Sequence, residues 1–282
     1  MKSASCLVLA LFLGACAGGG RGVPPAPPAP GPSEGCKAPL APGALTLETT
    51  VDGATRSYLL VIPEAQSAST STSPEPLALV FGFHGQSWTA DAFRAGGGGP
   101  ESISGGQAVF VYPNGQPRVG GRGWDLDLDG SDIAFFDIML REVLSKTCVD
   151  TTRIFAFGRS YGAYFVNTLG CARGQLLRGV AAMMGGGPPE ATGCDAVAAW
   201  LFHAADDPTV NVSQGRASRD HYLEVDACPA EEQAPIEPGS CVHYTGCHPG
   251  LEVQYCEEPT GGHNPPPYAA SSIWSFFKRS GL

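Results

Sequence analysis

Basic residues are scarce in this chain. It holds 17 Lys and Arg against 27 Asp and Glu, a net charge of −10 over 282 residues, with no basic run. That balance excludes nucleic acid and anionic surfaces as partners. Cys-x-x-Cys pairs are absent, so a zinc-ribbon reading has no support. No internal repeat is visible. Apolar runs long enough to cross a membrane are lacking too, since the one near the start, Cys6 to Leu13, has the size of a signal-peptide core.

What is present begins at that segment. Lys2 precedes the apolar core, and Leu13-Gly14-Ala15-Cys16 closes it. The tetrapeptide resembles a bacterial lipobox, which implies a signal peptide over 1–16, export, and lipidation of Cys16 as the only membrane attachment. Residues 17–35 are Gly- and Pro-rich and read as a semi-rigid spacer. Residues 36–282 are globular in composition with no second linker, a size that one α/β domain accommodates. Eight cysteines fall in this body, and an even number in an exported chain argues for disulfides. Closeness in sequence pairs Cys241 with Cys247 and Cys228 with Cys256, leaving Cys171 with Cys194 and Cys36 with Cys148.

Two alternating stretches, Ala44 to Thr50 and Arg56 to Ile62, flank an Asp-Gly turn signal and predict a hairpin. Continuous apolar runs at Leu77 to Phe83, Gln107 to Tyr112, Arg153 to Phe157, Gly179 to Met184 and Ala196 to Phe202 predict strands buried on both faces. Gly250 to Cys256 predicts a late strand. Helical spacing marks Asp132 to Lys146, Tyr161 to Leu169, Ser213 to Glu224 and Pro267 to Arg279. Buried strands alternating with helices give the fold class α/β, a mostly parallel sheet with helices on both faces and an antiparallel N-terminal hairpin.

Within that frame Gly158-Arg159-Ser160-Tyr161-Gly162 stands between a buried strand and a helix. In a chain with 38 glycines the pentapeptide arises by chance, but its strand–turn–helix setting is the one a nucleophile elbow requires. A serine hydroxyl needs a base, and the base needs an orienting acid. Five histidines follow Ser160. His203 ends a buried strand, His221 sits in a helix, and His243 and His248 lie in the cysteine-dense segment. His263 sits in a Gly-Gly-His-Asn-Pro loop after the last strand and is the candidate base. Asp206 and Asp207 both follow a buried strand, where α/β sites form; position favours Asp207. The oxyanion hole calls for the amide of Tyr161 and one from the loop after an early strand, where Gln86 is the candidate. His84 in that loop and Trp124 beyond it are candidates for the substrate cleft, each set against an ordinary structural role. Asp125 to Gly130 imitates a calcium loop, but Phe136 stands where the bidentate Glu belongs, so a solvated helix cap is the reading kept.

These residues carry a resemblance. The stretches ALVFGFHGQS ending at Ser87, Gly123-Trp124, Asp132 to Phe135, Cys148 to Cys171, HAADDPTV, CVHYTGC, VQYCE and GGHNPP are similar to secreted α/β-hydrolase esterases: feruloyl esterases, acetyl xylan esterases and polyhydroxybutyrate depolymerase-like proteins. The similarity spans nearly all of residues 36–282. It implies the α/β-hydrolase fold, with Ser160 as nucleophile, Asp207 as acid because the family's acid directly precedes a proline, and His263 as base. It departs at Gly162-Ala163, where the family often has Gly-Gly, and at the bulky Arg159, expected to point away. The resemblance implies an exported serine esterase, monomeric, without metal or cofactor. Its substrate would be an ester on a polysaccharide or polyester, with feruloyl groups on xylan foremost and acetyl xylan or polyhydroxybutyrate behind. The contrasting class is a hydrolase-fold surface protein that binds without catalysis.

Overall fold

The computed structural model describes residues 26–66, 74–188 and 192–282. The signal-type segment and Cys16 lie outside the described residues. Strand β1 (Gly43–Val51) folds back on β2 (Ala54–Ile62), and Val51 faces Ala54 across the two-residue turn. Asp52 and Gly53 both take positive φ, 49° and 79°, the type I′ geometry that an Asp-Gly pair adopts most readily. The hairpin is thus explained by its sequence.

The remaining strands are β3 (Leu77–Phe83), β4 (Ala108–Pro113), the short pair β5 (Gln116–Arg118) and β6 (Gly121–Gly123), β7 (Val149–Arg159), β8 (Gly179–Met183), β9 (Ala199–Ala204), β10 (Gln233–Ile236), β11 (Cys241–Tyr244) and β12 (Val253–Glu258). The helices are α1 (Ala90–Gly96), α2 (Ser131–Lys146), α3 (Tyr161–Arg173), α4 (Val212–Val225) and α5 (Ala269–Arg279). One ten-stranded sheet runs β1-β2-β4-β3-β7-β8-β9-β12-β11-β10. Its centre from β4 to β12 is parallel, and both edges are antiparallel.

The period of two along β3 divides the core. Leu79, Phe81 and Phe83 pack with Ile133 and Phe136 of α2, Val166 of α3 and Tyr222 of α4. Ala78 and Val80 turn the other way, toward Phe93 of α1 and Ile273 and Phe277 of α5. Each strand side therefore buries apolar surface, which is why the central strands read as continuous apolar runs.

The strands read from the sequence do not include the second antiparallel edge, β10 and β11. The expected pairing of Cys241 with Cys247 and of Cys228 with Cys256 does not form. Cys241 lies opposite Cys256 in the β11–β12 register, and these two are bonded. Cys228 pairs with Cys247, whose loop is drawn to the end of α4 by the His248 amide bonding the Asp226 carbonyl at 2.8 Å. Closeness in sequence was the wrong guide, because strand register decides which thiols meet. The pairs Cys36–Cys148 and Cys171–Cys194 are as expected. The last residues of the Gly/Pro stretch are also held: the Ser33 amide donates to the Val149 carbonyl at 2.8 Å and the Gly31 amide to Thr151 Oγ1 at 3.0 Å. Four disulfides fit an oxidising compartment. Among the described residues no helix is long and apolar enough to cross a membrane.

Candidate active site

The parallel topology brings four loops together at the C-terminal ends of adjacent strands. Ser160 follows β7, residues 84–88 follow β3, Asp207 follows β9, and His263 follows β12. Sequence neighbours do not explain this meeting; strand order does.

Ser160 has φ 55° and ψ −120°, a region that a side chain normally avoids and that functional turns retain. The flanking glycines are explained by close approach. A Cβ on Gly158 would stand 2.4 Å from the Gly162 carbonyl oxygen, and one on Gly162 would stand 2.0 Å from that of Phe83. The departure at Ala163 is accommodated elsewhere: a Cβ on residue 185 would meet the Ala163 methyl at 2.5 Å, and that residue is glycine.

The loop after β3 lies against this turn, since a Cβ on Gly85 would sit 3.4 Å from Ser160 Cβ. The hairpin β5–β6 grips the loop. Ser87 donates its amide to the Arg122 carbonyl at 2.8 Å, and Gln86 Nε2 donates to the Gly120 carbonyl at 2.7 Å. The backbone amides of Gln86 and of Tyr161, the first residue of α3, have no acceptor among the described residues. A helix start leaves such amides free and favours developing negative charge.

His84 and Trp124 do not line a cleft. Both side chains are fully buried. His84 holds the Gly85 carbonyl through Nδ1 at 2.7 Å and accepts the Gly115 amide at Nε2, 2.9 Å. Burial pushes its pKa down to about 4, so the ring is neutral. Trp124 Nε1 donates to the His84 carbonyl at 2.8 Å, and its ring packs on His84, Phe83 and Phe165. The two brace the loop from behind, because β6 turns Trp124 inward rather than toward solvent.

His263 Nδ1 and Asp207 Oδ2 are 2.7 Å apart. The other Asp207 oxygen accepts the amides of Thr209 at 2.8 Å and Val210 at 3.0 Å. Burial alone would raise this carboxyl; the bond from His263 and the two amides override it and hold the group below the usual carboxylate range. His203 is buried beneath, donating Nε2–H to the Val210 carbonyl at 2.8 Å, 3.4 Å from Asp207 Oδ2. Burial lowers its pKa, which keeps it neutral. Asp206 is exposed, and its carboxylate accepts the Gly262 amide at 2.7 Å, fixing the turn that precedes His263. Gly262 takes φ 59° there, a conformation glycine adopts at no steric cost.

Arg159 does not point away. Its Nη2 donates to the His263 carbonyl at 2.8 Å, and its guanidinium lies 5.1 Å from the Trp88 ring centroid. The imitated calcium loop is a cap: Asp125 accepts the Ser131 amide at 3.1 Å, and Asp132 is ion-paired with Arg56 in the core. Sequence reasoning missed the roles of Arg159 and Asp206, whereas His203 packs against the loop after its strand, as its position at the end of a buried strand suggests. Only the doubled aspartate was a visible signal, and it was read as a choice between two acids rather than two tasks.

A serine on a strained elbow, an imidazole oriented by a carboxylate, and unengaged amides beside them define a class: carboxylic ester hydrolases of the α/β-hydrolase fold. Feruloyl esterase D of Neurospora crassa is 31% identical over 285 residues, covering 90% of this chain and 93% of that protein. Feruloyl esterase C of Emericella nidulans is 28% identical over 242 residues, covering 79% and 83%. Among solved structures, the acetyl xylan esterase from Aspergillus awamori superposes with a TM-score of 0.65 at 13% identity, covering 83% of this chain and 99% of that one, a likeness of fold. No family model matches. The chain belongs to the feruloyl esterase family and is a serine carboxylic ester hydrolase.

Proposed function

We propose that the chain hydrolyses hydroxycinnamoyl esters of plant cell-wall xylan through a Ser160–His263–Asp207 triad. The observation that carries the reading is the His263–Asp207 bond of 2.7 Å, with the His263 carbonyl held by Arg159, the residue before Ser160. His263 Nε2 takes the Ser160 proton as Oγ attacks the ester carbonyl. The Gln86 and Tyr161 amides receive the oxyanion. Collapse breaks the ester C–O bond, and the imidazolium returns its proton to the leaving sugar alkoxide. Water, deprotonated by the same imidazole, then releases the acid and restores Ser160. Asp207 stays ionised throughout and stabilises the imidazolium. The names of the relatives support the feruloyl substrate, and the disulfides support export, with Cys16 as the proposed lipid anchor on the cell envelope.

The test is hydrolysis of methyl ferulate, 4-nitrophenyl acetate and short 3-hydroxybutyrate oligomers by the full exported chain, beside Ser160→Ala. We expect ferulate to have the highest kcat/KM and the variant to lose roughly 10⁴-fold or more. Preference for the oligomers would move the substrate to polyesters. Turnover unaffected by Ser160→Ala would overturn the triad.

A further inference from the structure

Arg159 is joined to more of the site than a residue in a variable position of the elbow needs to be. Its backbone belongs to β7, one residue before Ser160. Its guanidinium bonds the His263 carbonyl at 2.8 Å, so it reaches the loop after β12. The same group stacks 5.1 Å from the centre of the Trp88 ring, in the segment that carries the Gln86 amide. Trp88 is fixed in turn by its amide on the Gly85 carbonyl at 3.2 Å and by an edge contact with Phe93 of α1. One half-buried side chain thus spans three loops. Two of them, after β3 and after β12, are not neighbours in the sheet.

The base loop needs such a hold. It runs through Gly261 and Gly262, both at positive φ, 154° and 59°. Asp207 fixes the His263 ring and Asp206 fixes the turn before it. Among the described residues, the hydrogen bond to the His263 main chain comes from Arg159. A carbonyl held by a guanidinium is a charge-assisted bond, stronger than a neutral one, and the cation over an indole adds to it.

We propose that Arg159 is a positioning residue that ties the base loop to the elbow and to the oxyanion loop, setting the distance between His263 and Ser160. The inference rests on the triad reading above. It acts through His263, not on substrate, so its loss lowers kcat and leaves KM nearly unchanged. Partial burial lowers the pKa of the guanidinium, and the Asp207 carboxylate opposes that shift.

The experiment compares Arg159→Met, which keeps the methylenes and removes the donors, with Arg159→Lys and Arg159→Gln, which keep one donor with and without charge. Steady-state kinetics on one soluble ester are paired with hydrogen–deuterium exchange of the peptide over residues 259–264. We expect Arg159→Met to lower kcat by about 10- to 100-fold with KM within about threefold, and exchange over 259–264 to rise. Arg159→Lys recovers most of the kcat, Arg159→Gln part of it, and added guanidinium chloride at millimolar level, but not sodium chloride, restores Arg159→Met. Wild-type kcat in folded Arg159→Met, or unchanged exchange over 259–264 in it, overturns the proposal. The exchange readout stands even where Ser160→Ala retains activity, so failure of the triad and failure of the strut give different results.

Discussion

At the residue scale, two adjacent carboxylates do different work, and the difference is one of geometry. Asp207 is buried, with both oxygens engaged, one by the His263 ring and one by two amides. Asp206 is exposed and engages a single amide, that of Gly262. Asp207→Asn keeps the shape but can present an amide N–H to Nδ1, which favours the wrong imidazole tautomer; a loss of about 10⁴-fold in kcat is expected. Asp206→Ala removes one exposed bond at a turn that Arg159 and Asp207 still hold, so a loss under about tenfold is expected. Measuring kcat for both on one ester checks this, and the reverse ranking would reassign the acid. Ser160 and His263 were legible as candidates because glycines mark both, Gly158 and Gly162 two residues to either side of Ser160 and Gly261-Gly262 directly before His263. The cleft role offered for Trp124 and His84 fails, and the structural role set beside it holds, because their burial depends on the β5–β6 hairpin closing over the loop after β3, a contact that neither residue's neighbours announce.

At the scale of elements, α4 and β9 are joined through Asp226, the residue that caps α4. One oxygen of its carboxylate accepts the Val197 amide at 3.1 Å just before β9; the other is buried without a partner. Burial pushes this carboxyl up to about 7, against the opposing bond from Val197. Between pH 4 and 7 the unfolded chain gives up the proton while the folded chain retains it. The unfolded state then binds fewer protons, and stability falls as pH rises through that window, after which the penalty is constant. Asp226→Asn removes the charge. Its melting temperature should approach that of the wild type near pH 4 and exceed it at pH 8, with a ceiling of about 4 kcal/mol. Equal melting temperatures at both pH values would show that the carboxylate is solvated. Elements of this kind were largely readable: long apolar runs gave the central strands, and 3.6-residue spacing gave α2 to α5. Those missed are short and polar. β10 is mostly exposed and carries Pro235, which suits only an edge strand, and α1 spans seven residues with only two buried.

At the scale of the whole molecule, stability and chemistry occupy opposite ends of one strand. Cys148 directly precedes β7, and its bond to Cys36 closes a loop with a sequence separation of 112. Ser160 directly follows β7, whose eleven residues span about 36 Å. The disulfide also fixes the N-terminal segment, whose Ser33 and Leu40 amides bond the Val149 and Lys146 carbonyls. Chain-entropy reasoning assigns a bridge of this span about 4–5 kcal/mol. The Cys36→Ala, Cys148→Ala double variant should therefore show a lower denaturant midpoint and faster proteolysis before Leu40, while kcat at low temperature stays within about twofold of wild type. A packed parallel sheet has the rigidity to make that separation hold, because removing a tether at one end leaves the register of β3, β7 and β8 unchanged. A fall in kcat that matched the fall in stability would mean that β7 transmits the loss along its length, and the elbow would then depend on the N-terminal tether rather than on its own glycine-mediated contacts.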